Sequence, residues 1–528
     1  MIRSLEQLGS RPYDLCIVGA GAAGISLALA LRGKGLRIAL LESGGHGYER
    51  EVQDDFEGEA LGAATLSLRE MRLAGLGGST GVWAGFCRPL DPADFGPRPG
   101  FAESGWPFGR DALEPFYRRA HEVCGLSDFD YQAERWERQL GAPRLAPEAD
   151  GLATRVFQVR AQHFGERYRA ELEAAEDIDL ALHATVLRLE LDPARRRVEL
   201  VEAAAPGGAR LALRARAFVL AAGGIENPRL LLASAESPER APGNRGDRLG
   251  RYYGDHPFVD FGSLLLDAPH AMRLYQPQPL SPEPDAPLLR GALSLSDASF
   301  ERASLPGAAA LVHPRYEGHP AFATPAVRAL LRAWDRRRGR AVPGGALADL
   351  GQALRDPVAV ATALGRKLWV VDGPAREWRL RAMFECEPRA GNRVSLASDT
   401  DRFGRRRARV EWQLGEGDLE GMRRFARELD AALRRAGVGR LRLAFEDAPE
   451  AWLGAVEAGK HALCTTRMHP DPERGVVDAE ARVHGVENLY AAGSSVFASP
   501  GYANPTLTLV ALTLRLADHL AAILRAPR

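Results

Sequence analysis

Near the start of the chain, Gly19-Ala20-Gly21-Ala22-Ala23-Gly24 has the spacing G-x-G-x-x-G. Between a strand and a helix, that spacing binds phosphates. Gly19 permits the tight turn, Gly21 lets a pyrophosphate approach the backbone, and Gly24 lets helix and strand pack closely. The helix N-terminus adds the partial positive charge that phosphates attract. Glu42, at the end of the next apolar run, can accept ribose hydroxyls, and its charge would repel a 2′-phosphate. The plain alternative, a glycine turn without a ligand, is weakened by the flanking strands and by Glu42. The motif does not choose between FAD and NAD.

The elements that must position these residues are legible nearby. Residues 14–18 read as a buried parallel strand, 22–32 as an Ala/Leu-rich helix and 37–41 as a second strand. A second strand–glycine–helix element follows at 217–233, through Gly223-Gly224. Residues 257–455 change character, with prolines, β-like runs at 392–396 and 408–412, and helical patterns at 325–338 and 418–436. Residues 489–528 return to the first style. The expected fold class is α/β, or α+β overall. It comprises a Rossmann-like doubly wound domain at 1–256 and 456–528, with an antiparallel-sheet-plus-helices domain inserted at 257–455.

Composition excludes several functions. The 69 basic and 69 acidic residues cancel, so no global field attracts nucleic acid. The five cysteines are scattered with no CxxC pair, which argues against a metal site and fits a reducing compartment. No apolar leader core stands at 1–13, so a cytoplasmic location is expected. Only Lys34, Lys367 and Lys460 are lysines; the arginine excess reads as a coding bias and a bacterial origin. The most apolar stretch, 506–524, contains Arg515, Asp518 and His519, so it reads as a buried helix and not a membrane span.

Four blocks carry a resemblance to the glucose–methanol–choline (GMC) oxidoreductases, running over about 13–520. The first joins 14–24 to Glu42-Ser43-Gly44. The second is Leu76-Gly77-Gly78-Ser79-Thr80-Gly81-Val82-Trp83. The third spans 219–231, with Leu249-Gly250-Arg251 and Asp255-His256-Pro257. The fourth holds His461-Ala462-Leu463-Cys464-Thr465-Thr466-Arg467-Met468, then 483–490 through Asn504-Pro505-Thr506. The resemblance implies FAD, with 1–256 and 456–528 as its binding domain and 257–455 as the substrate domain. His461 matches the family's catalytic histidine and Asn504 its partner position. It further implies cofactor contacts at Gly19, Gly21, Gly24, Glu42, Ser43, Gly78, Thr80, Trp83, Ala84, Val186, Ala221, Ala222, Gly493, Ser494, Asn504, Pro505 and Thr506. No metal is implied.

The residue chemistry agrees. Oxidising an alcohol removes a hydride, to flavin N5, and a hydroxyl proton. Imidazole, with an ordinary pKa of about 6.5, is a base neutral near physiological pH. Asn504 cannot titrate, but its amide can donate to the substrate oxygen. His469 and His484 read as structural. Asn504-Pro505 also reads as the cap and first position of a helix to about Leu524.

The chain departs from the family pattern in places. Cys464 and His469 stand where glycines are usual, and Gly493-Ser494 replaces an Asp-Ala. Val82 lies near the position where some sugar-oxidising members join a histidine to FAD, so FAD is expected to be non-covalent. Arg336-Arg337-Arg338 with Arg340, and Arg405-Arg406-Arg407, read as solvated charge runs. Gly105-Trp106-Pro107, Glu226-Asn227-Pro228 and Gly501-Tyr502-Ala503-Asn504-Pro505 most resemble sugar-oxidising members. The expected function is therefore oxidation of a CH–OH group of a small alcohol, a sugar or glycoside first. Oxygen, a quinone or a redox protein would take the electrons. The alternatives are a non-sugar alcohol, or a lyase of hydroxynitrile-lyase type that keeps FAD without net redox turnover.

Overall fold

The computed structural model describes residues 2–8, 12–62, 67–98, 101, 103–146, 151–283, 285–314, 324–337, 346–362 and 377–525. The apolar run near the N-terminus forms the strand Tyr13–Val18, buried along its length except at Asp14. Burial on both faces is the mark of a central strand in a parallel sheet. Ile38–Leu41 is wholly buried beside it. Among the described residues these strands belong to a six-stranded parallel sheet. Its order is Ile2–Arg3, Ile178–Ala181, Ile38–Leu41, Tyr13–Val18, Ala215–Leu220, Leu489–Ala491.

Helices Ala22–Leu31 and Gly223–Ala233 follow their strands through glycine turns. The latter begins at Gly223 itself and carries Pro228 inside it. The C-terminal helix Thr506–Arg525 packs against Ala22–Leu31 and Glu114–Val123. It is long and apolar enough to cross a membrane, yet most of it is buried in the core.

A second, antiparallel sheet has the path Gly439–Leu443, Pro257–Leu266, Glu377–Phe384, Ala308–Pro314, Leu288–Leu295, Leu152–Val159, Phe86–Cys87. The helix Glu416–Arg435 lays Met422, Phe425, Leu429 and Leu433 against one face of it.

The sheets cross the expected boundaries in both directions. Phe86–Cys87 and Leu152–Val159, assigned by sequence to the first domain, pair with the second sheet. Arg406–Trp412, assigned to the insertion, pairs with Gly58–Gly62 on one side and with Arg393–Thr400 on the other. Strand partners are chosen by tertiary contact, which a composition shift along the chain cannot report.

The Arg405–Arg407 run is corrected. Arg405 is largely withdrawn from solvent, its side chain 12% exposed, and bonds Asp401 and the Val186 carbonyl. Arg406 and Arg407 donate to the carbonyls of Ala397 and Asp54. Arg338, Arg340 and the side chains of Arg336 and Arg337 lie outside the described residues.

Candidate active site

The carboxyl ends of the central strands converge on one place, as ligand sites do in parallel sheets. Tyr13–Val18 ends at Gly19, Ile38–Leu41 at Glu42, Ala215–Leu220 at Ala221-Ala222, and Leu489–Ala491 at Gly493-Ser494. All of these line one cavity of about 590 Å³.

The glycines divide their labour. Gly19 turns at φ +103°, a left-handed value that suits glycine, and its amide donates to the Leu41 carbonyl. A Cβ on Gly24 would lie 1.8 Å from the Gly19 carbonyl oxygen, so this residue serves close packing and does not line the cavity. Gly21 differs from both. Its backbone is extended, and a Cβ there would meet only the Gly78 Cα, at 3.9 Å. The fold does not require glycine at 21. Approach of a ligand to the backbone does, because the first-turn amides of Ala22–Leu31 have no acceptor within the helix.

Glu42 is held by the protein as well as facing the cavity. Its carboxylate accepts from the amides of Ala20 (2.8 Å), Gly44 and Gly75 (both 3.1 Å), and from Ser43 Oγ. Burial pushes its pKa up, opposed by these donors. Thr80 likewise spends its hydroxyl internally, donating to the Gly77 carbonyl and accepting from the Phe164 amide. Trp83 anchors its indole N–H on the Gln162 carbonyl while lining the cavity. Val186 lines it too, its carbonyl taken by Arg405. Ser43, Gly78, Ala84, Asn504, Pro505 and Thr506 complete the wall from the expected set.

His461 and Asn504 come together: Asn504 Nδ2 lies 3.5 Å from His461 Nε2. The amide faces the imidazole and Pro505 opens the first helical turn, its carbonyl accepting from the Leu509 amide. His461 is half-buried on the cavity wall and is backed by a second ring. His256 Nδ1 lies 2.9 Å from His461 Nδ1, and His256 Nε2 is 3.4 Å from the Pro500 carbonyl. A carbonyl only accepts, so His256 carries its hydrogen on Nε2. Its Nδ1 then accepts from the Nδ1–H of His461. His461 is left with a lone pair on Nε2, the nitrogen facing Asn504 and the cavity. Burial lowers both imidazole pKa values, that of His256 to about 4 and that of His461 well below 6.5, the latter helped by repulsion from His256.

The loop bearing His461 is set by Asp255. Its carboxylate accepts from the amides of His256 (2.7 Å), His461 (2.9 Å) and Lys460 (3.1 Å). Burial pushes its pKa up to about 7 against those donors. Cys464 turns the same loop at φ +67°, which explains why glycine is usual there. The loop bearing Asn504 is tied by Glu385, which accepts from the amides of Gly501 (3.1 Å) and Gly307 (3.2 Å). Asn227 fastens the strand ends, bonding the carbonyls of Leu220 and Ala492, Ser495 Oγ and the Ala222 amide. Asp255, His256 and Asn227 stand inside the resembling blocks with no role legible from the sequence, and Glu385 lies outside those blocks. His469 and His484 stay outside the cavity and hold backbone turns.

The family profile described as GMC oxidoreductase matches residues 388–513. Two bacterial relatives are 24% identical almost end to end. One is 6‴-hydroxyparomomycin C oxidase of Streptomyces lividus, over 97% of this chain and 92% of that protein. The other is 2-methyl-1,2-propanediol dehydrogenase of Mycolicibacterium austroafricanum, over 96% and 95%.

The chain resembles the GMC oxidoreductases, in profile over 388–513 and in sequence almost end to end.

Solved structures share the fold at lower identity. Pyridoxine 4-oxidase from Mesorbium loti aligns with TM-score 0.55 at 17% identity, over 96% of this chain and 98% of that one. A formate oxidase variant from Aspergillus oryzae RIB40 aligns with TM-score 0.57 at 17% identity, over 97% and 99%. The likeness to an oxidase and a dehydrogenase of hydroxyl-bearing compounds supports FAD-dependent oxidation of a CH–OH group. The cavity fits FAD on its own features: a glycine at 21 that packing does not demand, free helix amides beside it, and a carboxylate at Glu42.

Proposed function

We propose that His461 is the base of this oxidation and that Asn504 orients the substrate hydroxyl. The observation that carries the reading is the pair itself: His461 Nε2 and Asn504 Nδ2, 3.5 Å apart on the wall of the cavity. FAD bound there supplies the acceptor for the hydride that leaves the carbinol carbon. The hydroxyl proton passes to His461 Nε2, whose lone pair is kept available by the His256 hydrogen bond at Nδ1. Asn504 Nδ2 donates to the substrate oxygen as negative charge builds on it, and the carbinol becomes a carbonyl. Burial keeps His461 neutral, as a base must be before it acts.

Val82 lines the cavity and has no atom that could bond to the flavin, which supports non-covalent FAD. Acid precipitation is expected to release all the flavin into solution; flavin retained in the pellet would refute this. A sugar or glycoside substrate is supported by the names of the aminoglycoside-acting relatives.

The test is anaerobic mixing of the purified holoenzyme with a panel of alcohols and glycosides, following flavin absorbance. Bleaching by an alcohol is expected. In His461→Ala the bleaching rate should fall about 10²–10⁴-fold, the usual contribution of a general base. Turnover without bleaching would instead indicate lyase chemistry, and an unaffected His461→Ala variant would remove His461 from the mechanism.

A further inference from the structure

The wall opposite the phosphate-binding turn is a sheet face. Phe258 pairs with Met383, and Met383 with Ala309, so these three point the same way from neighbouring antiparallel strands. Leu311 lies two residues along from Ala309, on the same face. Phe157 and Phe86, whose rings meet edge to face at 5.9 Å, extend it across two more strands. All six line the cavity that holds His461, and the Phe258 ring lies 6.5 Å from the His461 ring.

The opposite face of this sheet is already buried under the helix Glu416–Arg435, through residues such as Leu380, Phe384 and Val312. A sheet with one face on the core and the other toward water alternates apolar with polar residues. On this one the cavity-side face is mixed, with Arg381 opposite Leu311 and Arg290 opposite Phe157, but the six positions that meet the cavity are apolar. The six side chains offer no hydrogen-bond donor and, as acceptor, only the weak thioether of Met383. The arginines of this face are held by partners outside the cavity: Arg155 by Asp297, Arg290 by the Val312 carbonyl, and Arg381, whose guanidinium crosses the Phe258 ring at 5.6 Å, by Glu457. None of these three lines the cavity.

We propose that, against the sugar or glycoside suggested by the relatives' names, this site oxidises a hydroxyl carried on an uncharged apolar body, an aryl or alkyl carbinol. The apolar body lies along the Phe258–Met383–Ala309 row while the carbinol reaches His461 and Asn504. A sugar in the same place would press hydroxyls against a wall that cannot pair with them, at about tenfold in affinity for each one left unpaired. The inference rests on the alcohol-oxidising reading above.

Two measurements test it. In anaerobic stopped-flow, benzyl alcohol and 1-hexanol are compared with D-glucose, methyl β-D-glucoside and paromomycin as reductants of the holoenzyme flavin. The apolar alcohols should show second-order rate constants at least about 100-fold higher, the loss expected from two unpaired hydroxyls. A sugar or the aminoglycoside reacting as fast as the best apolar alcohol overturns the proposal and leaves the alcohol-oxidising reading intact. The second measurement is calorimetric titration of the oxidised holoenzyme with acetophenone, a carbonyl product analogue that needs no turnover. Binding with a negative heat-capacity change is expected, the marker of apolar burial. It should weaken about tenfold in Met383→Gln and measurably in the milder Ala309→Ser, which keeps the proposal testable if the first variant folds poorly. No acetophenone binding, or affinity unchanged in both variants, overturns it. Acetophenone binding without bleaching by any alcohol would support the apolar site and refute the alcohol-oxidising reading.

Discussion

At the scale of single residues, the centre is decided by which nitrogen of His461 carries the hydrogen. His256 makes that decision from outside the cavity, through a contact of 2.9 Å. It is therefore a positioning residue. In His256→Ala the Nδ1–H of His461 loses its acceptor, so a fraction of the rings shifts the hydrogen to Nε2 and cannot act as base. We expect kcat to fall about tenfold, the order of one lost hydrogen bond, with little change in KM. A purely packing role would not change the pH profile, which makes the profile the useful measurement. Burial and His256 together hold His461 below its ordinary 6.5. A lowered pKa means that the neutral base persists as pH falls through 6.5. The wild-type kcat/KM should thus stay flat down through 6.5 and decline only below it. Removing His256 removes one lowering cause, so the acid limb should move up toward 6.5. An acid limb already at 6.5 in the wild type would contradict the neutral His461.

At the scale of elements, the turn between Tyr13–Val18 and Ala22–Leu31 contains glycines with separable duties. Gly24→Ala drives a methyl into the Gly19 carbonyl and should destabilise the fold by about 1–3 kcal/mol, the usual cost of overpacking. Gly21→Ala meets only the Gly78 Cα, so the folded chain should accommodate it. FAD occupancy should nonetheless drop, because the methyl stands where the pyrophosphate approaches the backbone. Purified Gly21→Ala with a near-normal melting temperature but a low flavin-to-protein ratio is the expected result. Full flavin occupancy in that variant would mean that the pyrophosphate does not approach the backbone there.

At the scale of the whole molecule, the cavity is built by both sheets, so FAD bound in it would bridge them. The wall draws on Gly19, Glu42 and Gly493 from one side and on Phe258, Ala309 and Met383 from the other. A ligand bound only by the folded state adds about 2.7 kcal/mol at a hundredfold excess over its Kd. Stripping FAD should lower the melting temperature by a few degrees, and added FAD should restore it in a concentration-dependent way. An FAD-independent melting temperature would place the cofactor outside the cooperative core.

Much of the FAD-binding half was legible in the chain because its signals are local. A buried strand, a glycine turn and a helix follow one another within 13–31, and periodicity and turn chemistry are enough to read them. The same holds for the His461 and Asn504 blocks, whose neighbours in sequence carried the resemblance. Other features depend on residues far apart in the chain. His256 meets His461 across 205 positions, and Glu385 meets Gly501 across 116. Arg405 looked like a solvated charge until Asp401 and the Val186 carbonyl closed around it. The apolar wall was likewise invisible, because Phe86, Phe157, Phe258, Ala309 and Met383 come from five strands whose order no linear pattern states. By itself the sequence determined the dinucleotide turn and brought forward His461 and Asn504 as the proposed reacting pair, since each stands in its own block of contiguous residues. Only the tertiary structure decided which nitrogen of His461 is free and what kind of surface faces it, because hydrogen-bond partners and sheet neighbours are set by packing, not by order along the chain.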